Sequence, residues 1–409
     1  MITVDVTDYG AKGDAVTDDT LPVQRAANKL SSIRGPKTLL FPKHKTFKTG
    51  PFNLSSNTLL LLAGNIVANQ QSKNWPLIDA AKIWPQFGHA SDCKPGSAQC
   101  RLMHQPIIFA WNHENITVKG GGTLDGQGHN WYNCHKHLDQ PPCSGHARPH
   151  LLFFSNVSGV TVSDISFMNS PDWTLHFSSV RDLHVTRVHI KNPADSPNTD
   201  GMDIDCVERA LIEDSSIFVG DDAVVVKSGI DYFGRLYAHP SRDILVRNLT
   251  VDASYGLAVG SETSGSVYNV TFEDVIIRNS WYGPRVKSAR GRGGVIDGVV
   301  FRRISAKGIK TGISLTLAYG DVVPPATNAS ATPHIRNILL EDVSFQDVVQ
   351  NEIFGLEDSI IDNVTFKDVR YLSSATSSPA LPDFSKCQFT RGRCLGSTNM
   401  CPPCFSRTK

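Results

Sequence analysis

The sequence predicts an all-β fold, a parallel β-solenoid in which the chain winds into stacked rungs. An eight-residue pattern recurs along the 409-residue chain from Val160 onward, with starts 23 to 39 residues apart, an interval typical of a solenoid with loop insertions. Apolar and polar residues alternate within each block, as in strands with one buried face. The tight Asn-Gly and Asp-Gly turns that a β-sandwich would need between strands are scarce, which favours the solenoid over the sandwich. The blocks are VTVSDISF at Val160, LHVTRVHI at Leu183, ALIEDSSI at Ala210, ILVRNLTV at Ile244, VTFEDVII at Val270, VVFRRISA at Val299, ILLEDVSF at Ile338 and VTFKDVRY at Val364.

The N-terminal residues predict an end cap for this solenoid. Thr17, Asp18 and Asp19 precede an amphipathic apolar pattern, so we expect a capped helix over about residues 15–35. A polar-faced helix here would stop the first rung from pairing with another chain. Short apolar runs alternate with polar turns over residues 36–90, as expected of early rungs.

Nine cysteines indicate disulfide bonds. Most come in close couples, which in a secreted protein usually form disulfides. We expect disulfides in the tail, about residues 375–409, and one β-helix domain over the whole chain, 1–409. A zinc site built from Cys134, Cys143 and the histidines beside them is the alternative, and the secretory features favour the disulfide. The couples are Cys93 with Cys100, Cys134 with Cys143 and a tail group of Cys387, Cys394, Cys401 and Cys404, with Cys206 left as a buried thiol.

Charge and hydropathy exclude several classes of partner. The net charge is +1, the pI is near 7.6 and Lys/Arg runs are lacking, so neither nucleic acid nor an anionic membrane is expected. No apolar run approaches the ~18 residues of a membrane span. The opening MITVDVTDYGAKGD lacks the apolar core of a signal peptide, so the protein is either cytosolic or has lost a leader. Paired cysteines and seven sequons favour a secreted glycoprotein, which we expect to be a monomer. The sequons begin at Asn53, Asn115, Asn156, Asn248, Asn269, Asn328 and Asn363.

Three aspartates between Pro197 and Lys227 are the first candidates for chemistry. Asp200 and Asp222 are 22 residues apart, about the length of one rung, and adjacent rungs lie ~4.8 Å apart. We therefore expect Asp200, Asp221 and Asp222 to share one surface patch. Clustered carboxyl groups have shifted pKa values, so one can stay protonated as a general acid while its neighbours position water. This division of labour is typical of glycoside hydrolysis.

The segments that follow the repeated blocks place further polar side chains on the same face. Arg285 and Lys287 flank Val286, so both project outward, where the guanidinium fork of an arginine suits a carboxylate ligand. Charge compensation of the aspartates is their alternative role. Asp205 and Lys227 are expected to form a structural ion pair. The outward set is Asp200, Asp203, Asp221, Asp222, Tyr255, Arg285 and Lys287.

Three motifs stand in the order typical of a known family: Asn198-Thr199-Asp200 with Gly201 and Asp203, Gly220-Asp221-Asp222, and Arg285-Val286-Lys287. With GAKGDAVTDDT, LDGQGHNWY and RPHLLFF…MNSPDWTLHF, they resemble the polygalacturonases of glycoside hydrolase family 28, over about residues 5–370. The resemblance implies a right-handed parallel β-helix. It also implies inverting hydrolysis of α-1,4-linked galacturonic acid in pectin, so the implied partner is an acidic polysaccharide and no cofactor or metal is needed.

The resemblance assigns a role to each site residue. Asp221 would be the general acid, and Asp200 and Asp222 would hold and deprotonate water. Carboxylates ~5 Å apart would suggest retention by the general distance rule, but in the family a pair of carboxylates holds the water, and we follow the family. Arg285 and Lys287 would bind a substrate carboxylate, and Tyr319 resembles the family's subsite tyrosine. The expected substrate-binding residues are Arg285, Lys287, Asn198, Tyr255, Tyr319 and Asp203.

The sequence departs from the common endo-acting pattern at Tyr255. That pattern has Gly-His-Gly here, and a tyrosine cannot carry the positive charge of a histidine at neutral pH. The stretch GSETSG with Glu262, together with VKSGIDYFG and VKSARGRGG, resembles a branch that includes plant and exo-acting members. Endo versus exo action is therefore left open.

Three other functions are weighed against the polygalacturonase. A rhamnogalacturonan or xylogalacturonan hydrolase of the same fold is the nearest alternative. A pectate lyase would use calcium and an arginine base, and the Asp-Asp pair beside Asn-Thr-Asp favours hydrolysis instead. A catalytically inactive carbohydrate-binding β-helix is slightly supported by Tyr255, whereas the three aspartates argue against it.

Overall fold

The computed structural model describes residues 2–71, 75–88, 101–320, 331–372 and 382–405. The chain forms two compact units. Unit 1 contains Met1–Asp203 and Asp214–Gly220, and unit 2 contains Ile204–Glu213 and Asp221–Lys409. The predicted single domain stays a prediction.

Unit 1 begins with the helical cap and continues in parallel strands. Its helices are α1 (Thr20–Ser31) and the one-turn α2 (Ala80–Ile83), with 3-10 turns at Val6–Tyr9 and Gly128–His135. Its strands are β1 (Ile2–Asp5), β2 (Asp14–Asp18), β3 (Lys37–Phe41), β4 (Thr46–Thr49), β5 (Phe52–Asn53), β6 (Thr58–Leu62), β7 (Asn65–Ala68), β8 (Leu77–Asp79), β9 (Leu102–His104), β10 (Ile108–Lys119), β11 (Thr123–Asp125), β12 (Leu152–Met168), β13 (Leu175–Ser178) and β14 (Arg181–Lys191).

The cap helix is shorter than the predicted 15–35 because residues 14–18 form β2, which pairs with β4. Helix α1 buries Val23, Ala26, Ala27 and Leu30. Asp19 occupies the N-cap position, but its carboxylate accepts from the N–H groups of Lys12 (2.7 Å) and Gly13 (3.0 Å) instead of from the helix. The carboxylate of Asp18 accepts from the N–H of Thr20 at 3.0 Å.

Strands β15 (Met202–Asp205) and β16 (Glu208–Phe218) contribute residues to both units. The remaining strands belong to unit 2, with one short helix, α3 (Asp231–Tyr237). They are β17 (Val224–Lys227), β18 (Ser241–Asp252), β19 (Leu257–Val259), β20 (Val267–Arg278), β21 (Pro284–Lys287), β22 (Val295–Thr316), β23 (His334–Phe354), β24 (Ile361–Leu372), β25 (Asp383–Gln388) and β26 (Thr390–Leu395).

The strands pair in parallel at the register that the repeat predicts. In unit 2, Val270 pairs with Val299, which pairs with Ile338, which pairs with Val364. In unit 1, Val160 pairs with Leu183. The first residue of each of these blocks is buried, because the alternation points it into the core. The predicted all-β parallel β-helix with a short N-terminal helix is confirmed.

Asparagine and aspartate side chains stack along the turns of the rungs. The Nδ2 of Asn115 donates to Asn57, that of Asn156 to Asn112, that of Asn269 to Asp243 and that of Asn363 to Asn337, at 2.6 to 3.0 Å. These four donors have positive φ angles near 50°, which asparagine tolerates better than most residues. All four are sequon residues. The side-chain nitrogen that a glycan would modify therefore already donates a hydrogen bond to a side chain of the neighbouring rung. Glycosylation stays a prediction, and the sequon at Asn328 lies outside the described residues.

The predicted cysteine pairing is confirmed where the structure describes it. The disulfides are Cys134–Cys143, Cys387–Cys404 and Cys394–Cys401, and Cys206 is a buried free thiol. The bond between Cys134 and Cys143 uses the sulfur atoms that a zinc site there would need, so the zinc interpretation fails. Cys93 and Cys100 lie outside the described residues. Among the described helices, none has the length and apolar character needed to cross a membrane.

Candidate active site

In unit 1, Arg148 supports the loop that carries Asn198. Its guanidinium is fully buried and forms an ion pair with Asp172 at 3.0 Å. It also donates to the carbonyl groups of Pro171 (2.9 Å) and Pro197 (2.8 Å) and to Oδ1 of Asn198 (3.4 Å). A rigid, multiply bonded cation thus fixes the segment that leads into the Asn-Thr-Asp motif.

The next residues of this loop bind the start of the Gly-Asp-Asp motif. The N–H of Gly220 donates to the hydroxyl of Thr199 at 3.2 Å. A Cβ atom at Gly220 would lie 2.1 Å from the carbonyl oxygen of Ser196, so only glycine fits. Asp200 is 3% exposed, and its carbonyl accepts from the N–H of Thr174 at 2.9 Å. The residues that immediately precede Asp200 and Asp221 in sequence are therefore joined to each other.

Replacement of Gly220 by Ala is expected to lower the free energy of unfolding by ~1–3 kcal/mol. The new Cβ would collide with the backbone carbonyl oxygen of Ser196, which cannot move aside as a flexible side chain could. The replacement should also reduce kcat, because the loop of Ser196 leads into Asp200. Thermal denaturation and initial rates measure the two effects. Gly50→Ala is the control, since its Cβ would meet only the side chain of Thr20, at 3.1 Å, and no backbone atom. Equal melting temperatures for both variants would contradict the close approach described here.

In unit 2, Asp222 is held by two cations. Lys287 Nζ lies 2.6 Å from Oδ2 of Asp222, and Arg285 NH1 lies 3.6 Å from Oδ1. All three side chains are buried. Burial lowers the pKa of Lys287, but the neighbouring Asp222, with smaller contributions from Tyr319 and Asp221, outweighs it, so the pKa of Lys287 is raised. Two cations thus neutralise Asp222 and leave it little capacity to bind a metal ion.

The carboxyl group of Asp221, by contrast, has a raised pKa. Burial raises the pKa of Asp221, the negative charge of Asp222 raises it further, and Lys287 acts in the opposite direction. Its Oδ1 accepts from the N–H of Asp222 at 2.8 Å. A carboxyl group with a raised pKa beside an ion-paired carboxylate is suited to donate a proton.

Aromatic rings surround the cations of unit 2. The Arg285 guanidinium lies 3.8 Å from the ring centroid of Tyr282 and 5.3 Å from that of Tyr319, and Lys287 Nζ lies 5.1 Å from Tyr319. Tyr255 stacks near Tyr282, with ring centroids 6.0 Å apart. Burial is the main cause that raises the pKa of Tyr255, so its hydroxyl stays neutral and can only take part in hydrogen bonds.

The remaining predicted residues lie in different surroundings. Asp203 is fully buried. Its expected contact with substrate stays a prediction. The carboxylate of Asp205 accepts from the N–H of Gly229 at 2.8 Å. Sequence reasoning missed Arg148 and Tyr282. The motif RPHLLFF contains Arg148, and Tyr282 stands just before the Gly-Pro-Arg segment, so both were close to recognised signals.

Comparisons with known proteins identify the family of this chain. A model of the family described as "Glycosyl hydrolases family 28" matches residues 32–389. A probable polygalacturonase of Vitis vinifera is 32% identical over 350 residues, which make up 84% of this chain and 68% of that protein. An endo-polygalacturonase of Pectobacterium carotovorum subsp. carotovorum is 26% identical over 379 residues, 89% of this chain and 87% of that one. The crystal structure of a hyperthermoactive exopolygalacturonase from Thermotoga maritima superposes with a TM-score of 0.77 at 25% identity and covers 97% of this chain and 89% of that one.

Proposed function

The chain belongs to glycosyl hydrolase family 28, and on this premise we propose that it is a polygalacturonase that hydrolyses the α-1,4-galacturonosidic bonds of pectin. The proposal rests mainly on the different surroundings of Asp221 and Asp222. The first has a raised pKa, and the second forms an ion pair with Lys287 at 2.6 Å. Acid and base are the two roles that glycoside hydrolysis requires.

Asp221 donates its proton to the glycosidic oxygen as the bond breaks. Asp200 and Asp222 hold a water molecule and take its proton as it attacks the anomeric carbon from the opposite face, which inverts the configuration. Within unit 1, the hydrogen bond between Gly220 and Thr199 joins the two residues that directly precede Asp221 and Asp200 in the sequence.

Arg285 and Lys287 have different roles toward negatively charged groups. Lys287 makes the shorter contact with Asp222 and serves mainly to compensate its charge. Arg285 contacts Asp222 through NH1 at 3.6 Å and keeps further N–H donors for the carboxylate of a galacturonate unit. Tyr319, which is 36% exposed, and Tyr282 flank the guanidinium and would border that unit. Asn198, Asp203 and Tyr255 stay in the proposed substrate-binding set.

The proposed setting is extracellular. Three disulfides among the described residues support an oxidising compartment. A monomer that binds neither nucleic acid nor membrane, and a single domain over the whole chain, stay predictions.

Product analysis tests the proposed function. The protein is incubated separately with polygalacturonate, rhamnogalacturonan and xylogalacturonan at pH values from 4 to 7, and new reducing ends are counted and sized. Release from polygalacturonate is expected, as monomer alone for exo action or as a ladder for endo action. Preferential release from another polymer would favour the related hydrolases, and no release from any of them would favour an inactive carbohydrate-binding protein.

A further inference from the structure

A row of side chains on unit 2 extends away from Asp221 along successive rungs. The N–H of Tyr255 donates to the carbonyl of Asp221 at 2.9 Å, and the N–H of Trp281 donates to the carbonyl of Ser254 at 2.7 Å. Lys310 follows on the next rung, where its N–H donates to the carbonyl of Ser280 at 3.2 Å. Because rungs are ~4.8 Å apart, Tyr255, Trp281 and Lys310 form a line that starts beside the proposed general acid.

The three side chains form a row of two aromatic rings and one cation. The rings of Tyr255 and Trp281 are nearly parallel, with an interplanar angle of 18° and centroids 5.9 Å apart. Trp281 is 48% exposed, although an indole ring is usually well buried. The Nζ of Lys310, an exposed residue, lies 4.2 Å from the centroid of the Trp281 ring.

The chemistry of this row fits an acidic sugar unit. The C–H groups of a pyranose carry partial positive charge and stack on the negative face of an aromatic ring. The ammonium of Lys310 can pair with a sugar carboxylate. Its contact with an exposed ring is weak, so it leaves the Trp281 face readily when a stronger partner arrives.

We propose that Trp281 and Lys310, with Tyr255, form an additional binding position for a galacturonate unit, separate from the one at Arg285. The inference rests on the proposed function, because it assumes a polymer of acidic sugars. Chains long enough to reach Trp281 gain affinity from this position, and shorter chains do not.

Binding of galacturonate oligomers of defined length to an inactive variant tests this position. Isothermal titration calorimetry compares Asp221→Asn with the double variants that add Trp281→Ala or Lys310→Gln. The Trp281 change is expected to weaken binding of the long oligomers by about tenfold and to leave the dimer unaffected. The Lys310 change should weaken the same long oligomers and reduce the salt dependence of their binding.

A matched pair of a lysine and an aromatic ring in unit 1 gives the control. Lys82 Nζ lies 4.7 Å from the Trp111 ring, so adding Trp111→Ala removes a similar contact elsewhere on the molecule and should leave all affinities unchanged. Parent-like affinity at every length in both the Trp281 and Lys310 variants would overturn the proposal, as would an equal loss for dimer and long oligomer. Lys310→Gln changes only an exposed side chain, so it decides the matter even if Trp281→Ala fails to fold. If the wild-type protein cleaves no pectic polymer and the inactive variant binds none, the proposed function itself fails and this inference fails with it.

Discussion

Replacement of Asp221 by Asn is expected to lower kcat on polygalacturonate by at least ~10², with no loss of stability at pH values above the raised pKa of Asp221. Asn has nearly the same shape as Asp but no acidic proton to give to the glycosidic oxygen. The fall should appear mainly in kcat, because Arg285 and the aromatic side chains proposed to bind the substrate are unchanged. Initial rates of reducing-end release measure it.

The stability of this variant follows from the raised pKa of Asp221. Its ordinary value is 3.8, and burial raises the pKa in the folded protein, so the folded state binds this proton more tightly than the unfolded state. The stability from this group is therefore present at low pH and is lost as the pH rises through the raised pKa. Asn carries no charge, so above that pH the variant should melt at the same temperature as the wild type or higher.

Asp347→Asn is the matched control for Asp221→Asn. Asp347 is exposed in the same unit and has a φ of 57°, which Asn accepts, so turnover and melting temperature should both stay near the wild-type values. Near-normal turnover by Asp221→Asn would contradict its assignment as the general acid. A large drop in melting temperature would show that its role is structural instead.

Replacement of Lys287 by Met is expected to lower the free energy of unfolding by ~3–5 kcal/mol, because it removes the cation at 2.6 Å from the buried carboxylate of Asp222. Met keeps most of the volume, so the loss is one of charge compensation. Lys287 also lowers the pKa of Asp221, so its removal should raise that pKa further. The basic limb of the pH–rate profile should then move to higher pH. Urea denaturation and pH–rate profiles measure these effects.

Lys307→Met tests whether the loss is specific to the buried pair. Lys307 is exposed on β22, so its replacement should change stability by no more than ~0.5 kcal/mol. Similar stability losses in the two lysine variants would contradict the role of Lys287 as the counter-ion of Asp222. An unchanged basic limb in Lys287→Met would show that Asp221 does not control it.

The fold could be predicted well because each rung of a solenoid repeats the same sequence pattern, so that aligning the repeats gives the strand register. The alternation in the blocks at Val270, Val299 and Ile338 places the same positions in the core of each rung, and these residues pair as the alignment predicts. The start of α1 could not be predicted as well. The turn-forming residues before it form β2 because β4 offers a strand to pair with, which is a tertiary effect.

The site was predicted less completely than the fold. Asp221 and Asp222 could be recognised because they are adjacent in a known motif. Arg285 and Lys287 flank Val286, which correctly predicted that their side chains lie on the same face. The sequence could not show that Lys287 contacts Asp222 directly, 65 residues away, because side-chain pairing depends on the loop geometry of each rung. Arg148 was missed for the same reason, since its partners at Pro171, Pro197 and Asn198 come together only in the folded chain.

The configuration of the initial products formed from polygalacturonate distinguishes inverting hydrolysis from retention and from elimination. Proton NMR in the first minutes, before the anomers interconvert, reports the configuration of the newly released reducing end. Attack by a water molecule held by Asp200 and Asp222, with Asp221 as the acid, predicts a saturated product with the β configuration from the α-linked polymer. An α-configured end would show retention and an unsaturated end would show elimination, and either result would contradict inverting hydrolysis by these aspartates.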